Sequence, residues 1–134
     1  MSLDFAPALN LLRQHIPALA GTYLFGSQAG GNARADSDVD LAVFAGRPLP
    51  RAQVVELTHQ LAALLRRDVD LVDMASASTI MQFQIIAEGR LIDAPEPAAA
   101  ALFELRIMRD YQDLKSRRAG IEADIVERGR VYGR

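Results

Sequence analysis

The sequence contains no cysteine. Disulfides, thiolate metal sites and cysteine nucleophiles are therefore excluded. No apolar run approaches the length of a membrane span. Met1 to Pro17 has neither the basic start nor the continuous apolar stretch of an export signal, which favours the cytoplasm as the default location. Charge of one sign is scarce as well. Fifteen Lys and Arg against 17 Asp and Glu leave a formal net charge of −2, which argues against a general nucleic-acid binder. Histidine occurs only at His15 and His59, each inside a helical pattern, where a surface or core-edge role outweighs a catalytic one. Internal repeats and low-complexity linkers are missing too. What remains is 134 residues, half of them hydrophobic, which is most simply one domain over 1–134 with a buried core.

The apolar spacing predicts the elements. Phe5, Leu9, Leu12 and Ile16 recur at helical intervals, with Asp4 as a cap, Pro7 tolerated in the first turn and Pro17 as the stop. Thr22 to Phe25 reads as a short strand ending at Gly26. Small and polar residues from Gly26 to Ser37 predict a turn and a short helical piece. Val39 to Phe44 is a second strand, with Val39, Leu41 and Val43 on one face. Val54, Leu57, Leu61 and Leu64 form the next helical stripe. Asp68 to Asp73 is a third strand, with Val69, Leu71 and Asp73 on one face and Asp68 and Asp70 on the other. Ile80, Phe83, Ile86 and Ala87 predict a helix closed by Gly89, and Leu91-Ile92 a short β piece. After Pro95 and Pro97, Leu102, Leu105, Met108, Tyr111 and Leu114 line one side of a long helix, so 96–128 is a C-terminal helical segment that Ile121 and Ile125 continue. This order predicts an α/β (α+β) fold, a small mixed sheet flanked by helices.

The chemistry concentrates between Leu24 and Leu41. Gly26-Ser27 offers a tight turn with a hydroxyl, suited to the close approach of phosphate and to donors at a helix start. Taken alone, that pair reads more readily as a strand-to-helix turn with a serine cap. Asp38 and Asp40, two apart on a strand, share a face roughly 7 Å apart. Carboxylates held together at neutral pH need a counter-charge, and a divalent cation such as Mg²⁺ suits their hard oxygens. Two-metal phosphoryl transfer also uses a third carboxylate on a neighbouring strand to align the nucleophile. Asp70 fits, Asp68 competes on the same face, and Asp73 has the opposite parity. Two generic motifs fail. The segment lacks the Gly-Lys-Ser/Thr of a P-loop, and an EF-hand started at Asp36 would place Leu41 where glycine is needed and Arg47 at the twelfth position.

The run from Gly26 to Leu41 matches every fixed position of Gly-Ser-x-Ala-x-Gly-x-Ala-x-x-x-Ser-Asp-x-Asp-Leu. In this the chain resembles the minimal nucleotidyltransferases (MNT type) of the DNA polymerase β superfamily. The resemblance implies a polymerase-β-like core, with Gly26 and Ser27 binding the triphosphate. It implies too that Asp38 and Asp40 hold metals, with Asp70 in Val69-Asp70-Leu71-Val72 as the third catalytic and metal-binding carboxylate. Family members often serve as antitoxins to an all-helical HEPN ribonuclease, and some resemble adenylyltransferases that move AMP from ATP onto a toxin tyrosine. The expected function is therefore Mg²⁺-dependent AMP transfer from ATP to a hydroxyl, with a HEPN-type toxin as partner. The alternative is an antitoxin that inhibits by binding alone. Arg34, Arg66 and Arg67 are candidates for contacts to phosphate or acceptor. Arg117 and Arg118 could face a partner, and a sheet edge or the apolar side of the last helix could support a homo-oligomer.

Overall fold

The computed structural model describes residues 3–26, 29 and 38–132, with side chains described as far as residue 121. Helix α1 (Ala6–His15) begins where Asp4 Oδ1 accepts the Ala6 N–H at 3.0 Å, and Pro7 sits in its first turn. Strand β1 (Gly21–Phe25) pairs antiparallel with β2 (Val39–Phe44). Helix α2 (Arg51–Leu65) carries the chain over to β3 (Val69–Asp73), which lies parallel to β2. A 3-10 turn (Met74–Ser76) and helix α3 (Thr79–Glu88) lead to β4 (Arg90–Asp93), antiparallel to β1. The sheet order is β3-β2-β1-β4. Helix α4 (Pro97–Tyr132) runs beyond the expected 128 and, at 36 residues, is about 54 Å long. No helix among the described residues is long and apolar enough to cross a membrane.

Both sheet faces are covered, and the period-two alternation of β2 sorts its residues between them. Val39, Leu41 and Val43 are fully buried with Ala8, Leu12, Leu57, Leu61 and Leu65, so α1 and α2 cover that face. Ala42 and Phe44 point the other way and join Tyr23, Met74, Ile85, Phe103 and Ile107, so α3 and α4 cover the second. Asp40 shares the parity of Ala42 and Phe44 and therefore emerges on this second face.

Two apolar stripes differ from the sequence expectation. In α2, Leu64 is 46% exposed and Leu65 takes the buried place after Leu61. In α4, Leu102, Leu105 and Met108 are exposed, and the core side is formed by Ala100, Phe103 and Ile107. The reason lies in tertiary contacts. Phe103 stacks flat on Phe44, with ring centroids 3.6 Å apart, and the half-buried Glu104 accepts a 2.8 Å hydrogen bond from the buried Tyr23 hydroxyl. Burial and that carboxylate hold the phenol pKa above its ordinary value. Tyr111, one turn beyond Ile107, stacks on Phe83 at 3.8 Å, so its role is packing.

Asp73, at the end of β3, is buried as a structural acid. Its Oδ2 accepts from the Leu49 N–H (2.9 Å) and the Ser76 hydroxyl (2.8 Å), and its Oδ1 from the Ala75 N–H (3.3 Å). The β2–α2 loop and the 3-10 turn are thereby tied to one carboxylate. The edge strand β4 is held differently, by an exposed ion pair in which Arg13 on α1 bridges both Asp93 oxygens and has its pKa raised by them.

The α4 register yields a direct check. Phe103→Ala is expected to cost about 3–5 kcal/mol of unfolding free energy by urea titration, the range for deleting a buried aromatic. Leu105→Ala, on the exposed side, should stay within about 0.5 kcal/mol of the parent.

Candidate active site

The site grows from the end of the sheet where β1 stops and β2 begins. In the β1–β2 ladder, Phe25 stands opposite Asp40, and Gly26 follows at once with φ +71°. That backbone conformation favours glycine. A second requirement is steric: a Cβ on Gly26 would lie 2.1 Å from Asp40 Oδ2. The turn and the carboxylate are therefore fitted to each other, and the glycine leaves the space the acid occupies. Sequence reasoning found Gly26 through its turn chemistry, but the packing against Asp40 is visible only in three dimensions.

β3 supplies the neighbour. In the parallel ladder Asp40 and Asp70 are direct partners, so both carboxylates leave the same face of adjacent strands. Asp38 lies just ahead of β2 and is exposed. Asp40 is half-buried and its pKa is raised, first by desolvation, then by the charge of Asp70 and then by that of Asp38. Asp70 and Asp38 thus both act electrostatically on Asp40. Asp68 takes a different part. It is exposed, precedes the strand, and its backbone carbonyl accepts the Val39 N–H at 2.9 Å, pinning the start of β3 to the start of β2. Of the two acids on that parity, Asp70 is the one in register with Asp40.

Ser27 and Arg34 lie outside the described residues, as does most of the segment expected to form a turn and short helix. Among the described residues no three His, Cys, Asp or Glu side chains close on a single metal position. Asp38, Asp40 and Asp70 form an open acidic rim. That suits a cation such as Mg²⁺, which keeps several waters and is held by one or two carboxylates together with substrate phosphates. The raised pKa of Asp40 marks the same fit, because like charges in a partly desolvated place gain most from a counter-ion.

The other candidates fall away. His15 and His59 are exposed on α1 and α2, the helices covering the opposite sheet face. A cavity of about 440 Å³ lies at the far end of β2 among Ala20, Phe44, Leu102, Phe103 and Arg106. It is apolar, and Glu96 is its only acid.

Comparison with known proteins agrees with this geometry. The family model described as polymerase beta, nucleotidyltransferase matches residues 9–96. The protein adenylyltransferase MntA of Shewanella oneidensis is 37% identical over 118 residues, covering 88% of this chain and 84% of that protein. A crystal structure of a toxin–antitoxin with AMP-PNP superposes with a TM-score of 0.81 at 36% identity, covering 92% of this chain and 99% of the matched one. A complex of a tri-AMPylated Shewanella oneidensis HEPN toxin with its MNT antitoxin gives a TM-score of 0.72 at 35% identity, covering 90% of this chain and 93% of the other. On this similarity the chain belongs to the polymerase β nucleotidyltransferase family, in its MntA-type minimal branch.

Proposed function

We propose that this chain transfers AMP from ATP to a tyrosine hydroxyl of a HEPN-type toxin and so neutralises that partner as its antitoxin. The observation that carries the reading is the unit formed by Gly26, Asp40 and Asp70. A turn suited to phosphate is in steric contact with one carboxylate, which is in strand register with another. Similarity to the adenylyltransferase MntA supports AMP transfer, and similarity to the MNT antitoxin bound to a tri-AMPylated HEPN toxin supports the partner. The acceptor oxygen forms a bond to the α-phosphorus of ATP, the bond from that phosphorus to the bridging oxygen breaks, and pyrophosphate leaves. Asp70 orients the acceptor hydroxyl and takes its proton. Gly26 lets the triphosphate approach the backbone, and Ser27 is assigned a hydroxyl contact to it. Asp38, Asp40 and Asp70 would hold Mg²⁺, which when bound supplies positive charge against the triphosphate. On this reading the protein works in the cytoplasm, where ATP and the toxin are present.

The deciding assay combines the purified chain, the HEPN-type protein encoded beside it, labelled ATP and Mg²⁺. Label should accumulate on a toxin tyrosine and disappear with Asp38→Asn. A toxin that is bound and inhibited without acquiring label would overturn transfer in favour of inhibition by binding.

Further outcomes follow from the geometry. Asp40→Asn and Asp70→Asn should each lower the transfer rate by at least about 100-fold, the scale of a lost acid–base or electrostatic contribution. Gly26→Ala should abolish transfer as well, because its methyl group and Asp40 Oδ2 compete for one space.

Asp40 also predicts a pH effect on the ligand-free protein. Its pKa in the folded state is raised above that of an ordinary carboxylate, so just above the ordinary value the folded chain binds more protons than the unfolded one. This group's contribution to stability is therefore greatest at acid pH and declines as pH rises through its folded pKa. Asp40→Asn should accordingly raise the melting temperature of the ligand-free protein at pH 7 while removing activity. Differential scanning calorimetry at pH 4 and pH 7 reads both effects, and the gap between variant and parent should narrow at the lower pH.

A further inference from the structure

Strand order gives the site a direction. The glycine turn follows β1, Asp40 stands on β2, and Asp70 stands on β3, the edge of the sheet. On the transfer reading, to which this inference is tied, the triphosphate lies toward β1 and the acceptor hydroxyl comes in over β3. Whatever flanks β3 at this end of the sheet therefore meets the acceptor protein.

The flanking segment is the connection from α2 to β3. It is held at both ends: the Arg67 N–H bonds to the Ala62 carbonyl at 3.3 Å, and the Asp68 carbonyl accepts from Val39, the neighbour of Asp38, at 2.9 Å. Immediately before these anchors, at the helix C-cap, Arg66 adopts φ 54°, ψ 43° and is the one non-glycine residue with positive φ among the described residues. A helix end of this shape is the usual place for glycine, so the backbone does not ask for a long cationic side chain here. Arg67 has interactions of its own, whereas Arg66 is exposed. It stands four residues before Asp70, at a sheet end whose other charged side chains include Asp38, Asp40, Asp68 and Asp70.

We infer that Arg66 is a specificity-determining residue for the acceptor, engaging carboxylates on the partner surface beside the hydroxyl to be modified. A guanidinium is the side chain best suited to bidentate pairing with a carboxylate, and the turn fixes the backbone from which it projects. It selects acceptors whose target hydroxyl is flanked by acidic residues. It has no part in gripping ATP, which lies on the β1 side.

The test uses the full-length protein, the purified HEPN-type partner, ATP and Mg²⁺, with Arg66→Gly, Arg66→Glu and Arg66→Lys. Arg66→Gly should raise the KM for the partner about three- to tenfold, the range for a charge at the edge of an interface, and Arg66→Glu more. Arg66→Lys should recover part of the loss. The KM for ATP and the affinity for AMP-PNP should not move, and added salt should shrink the difference from wild type. Because glycine suits the turn, the melting temperature of Arg66→Gly should not fall, which separates this role from a structural one. An unchanged partner KM in Arg66→Glu, or a change confined to ATP, would overturn the inference. Calorimetric titration of the partner into wild type and Arg66→Glu keeps the two readings distinguishable. If wild type fails to label the partner, the transfer reading fails, yet weaker partner binding by Arg66→Glu would still support the docking role, and equal binding would sink it.

Discussion

Everything at this site depends on one unfavourable arrangement: a carboxylate held half out of water with two others beside it. Asp40 carries that burden, and its raised pKa shows the folded chain resisting the charge that the chemistry needs. Unpaired acids of this kind weaken a fold, so they persist only where surrounding structure holds them. Here the holding structure is the centre of the sheet. β2 is paired on both sides, and its flanking residues Val39, Leu41, Ala42 and Val43 have no solvent exposure. A strand so fixed cannot turn Asp40 away to relieve the repulsion.

The rest of the architecture brings a second acid and a glycine turn to that strand from opposite sides. The α2 crossover makes β3 parallel to β2, which puts Asp70 level with Asp40. The antiparallel β1 arrives from the other direction and ends beside Asp40, where a glycine bend is required both by its backbone angle and by the space the carboxylate fills. Asp73, three residues past Asp70, shows how much parity matters. It faces the other way, is buried, and spends its oxygens on the Leu49 and Ala75 amides and the Ser76 hydroxyl. Of two acids on one short strand, one ties loops together and the other stands level with Asp40.

Membership of the MntA-type family gives this geometry its biological sense. Exposed surface that the partner of the proposed reaction can meet is offered by the α2–β3 turn and by the outward side of α4, both carried on elements packed against the sheet.

Much of this was legible in one dimension. The spacing of Asp38 and Asp40, the glycine turn before them and the opposite parities of Asp70 and Asp73 are local facts, because a strand's side chains alternate wherever it lies. The limits of β2 were legible for the same reason, as were the stops at Pro17 and Gly89. The motif resemblance favours Asp70 over Asp68, whereas parity is identical for the two, and the register that sets Asp70 level with Asp40 was not legible. Nor was the buried side of α4. That helix carries apolar residues on more than one side, and periodicity alone favoured Leu102, Leu105 and Met108. The flat stack of Phe103 on Phe44 and the bond from Tyr23 to Glu104 turned it the other way. Local pattern determined which residues could serve the chemistry, while long-range packing decided which of them meet, because burial and strand register arise only when distant segments come together.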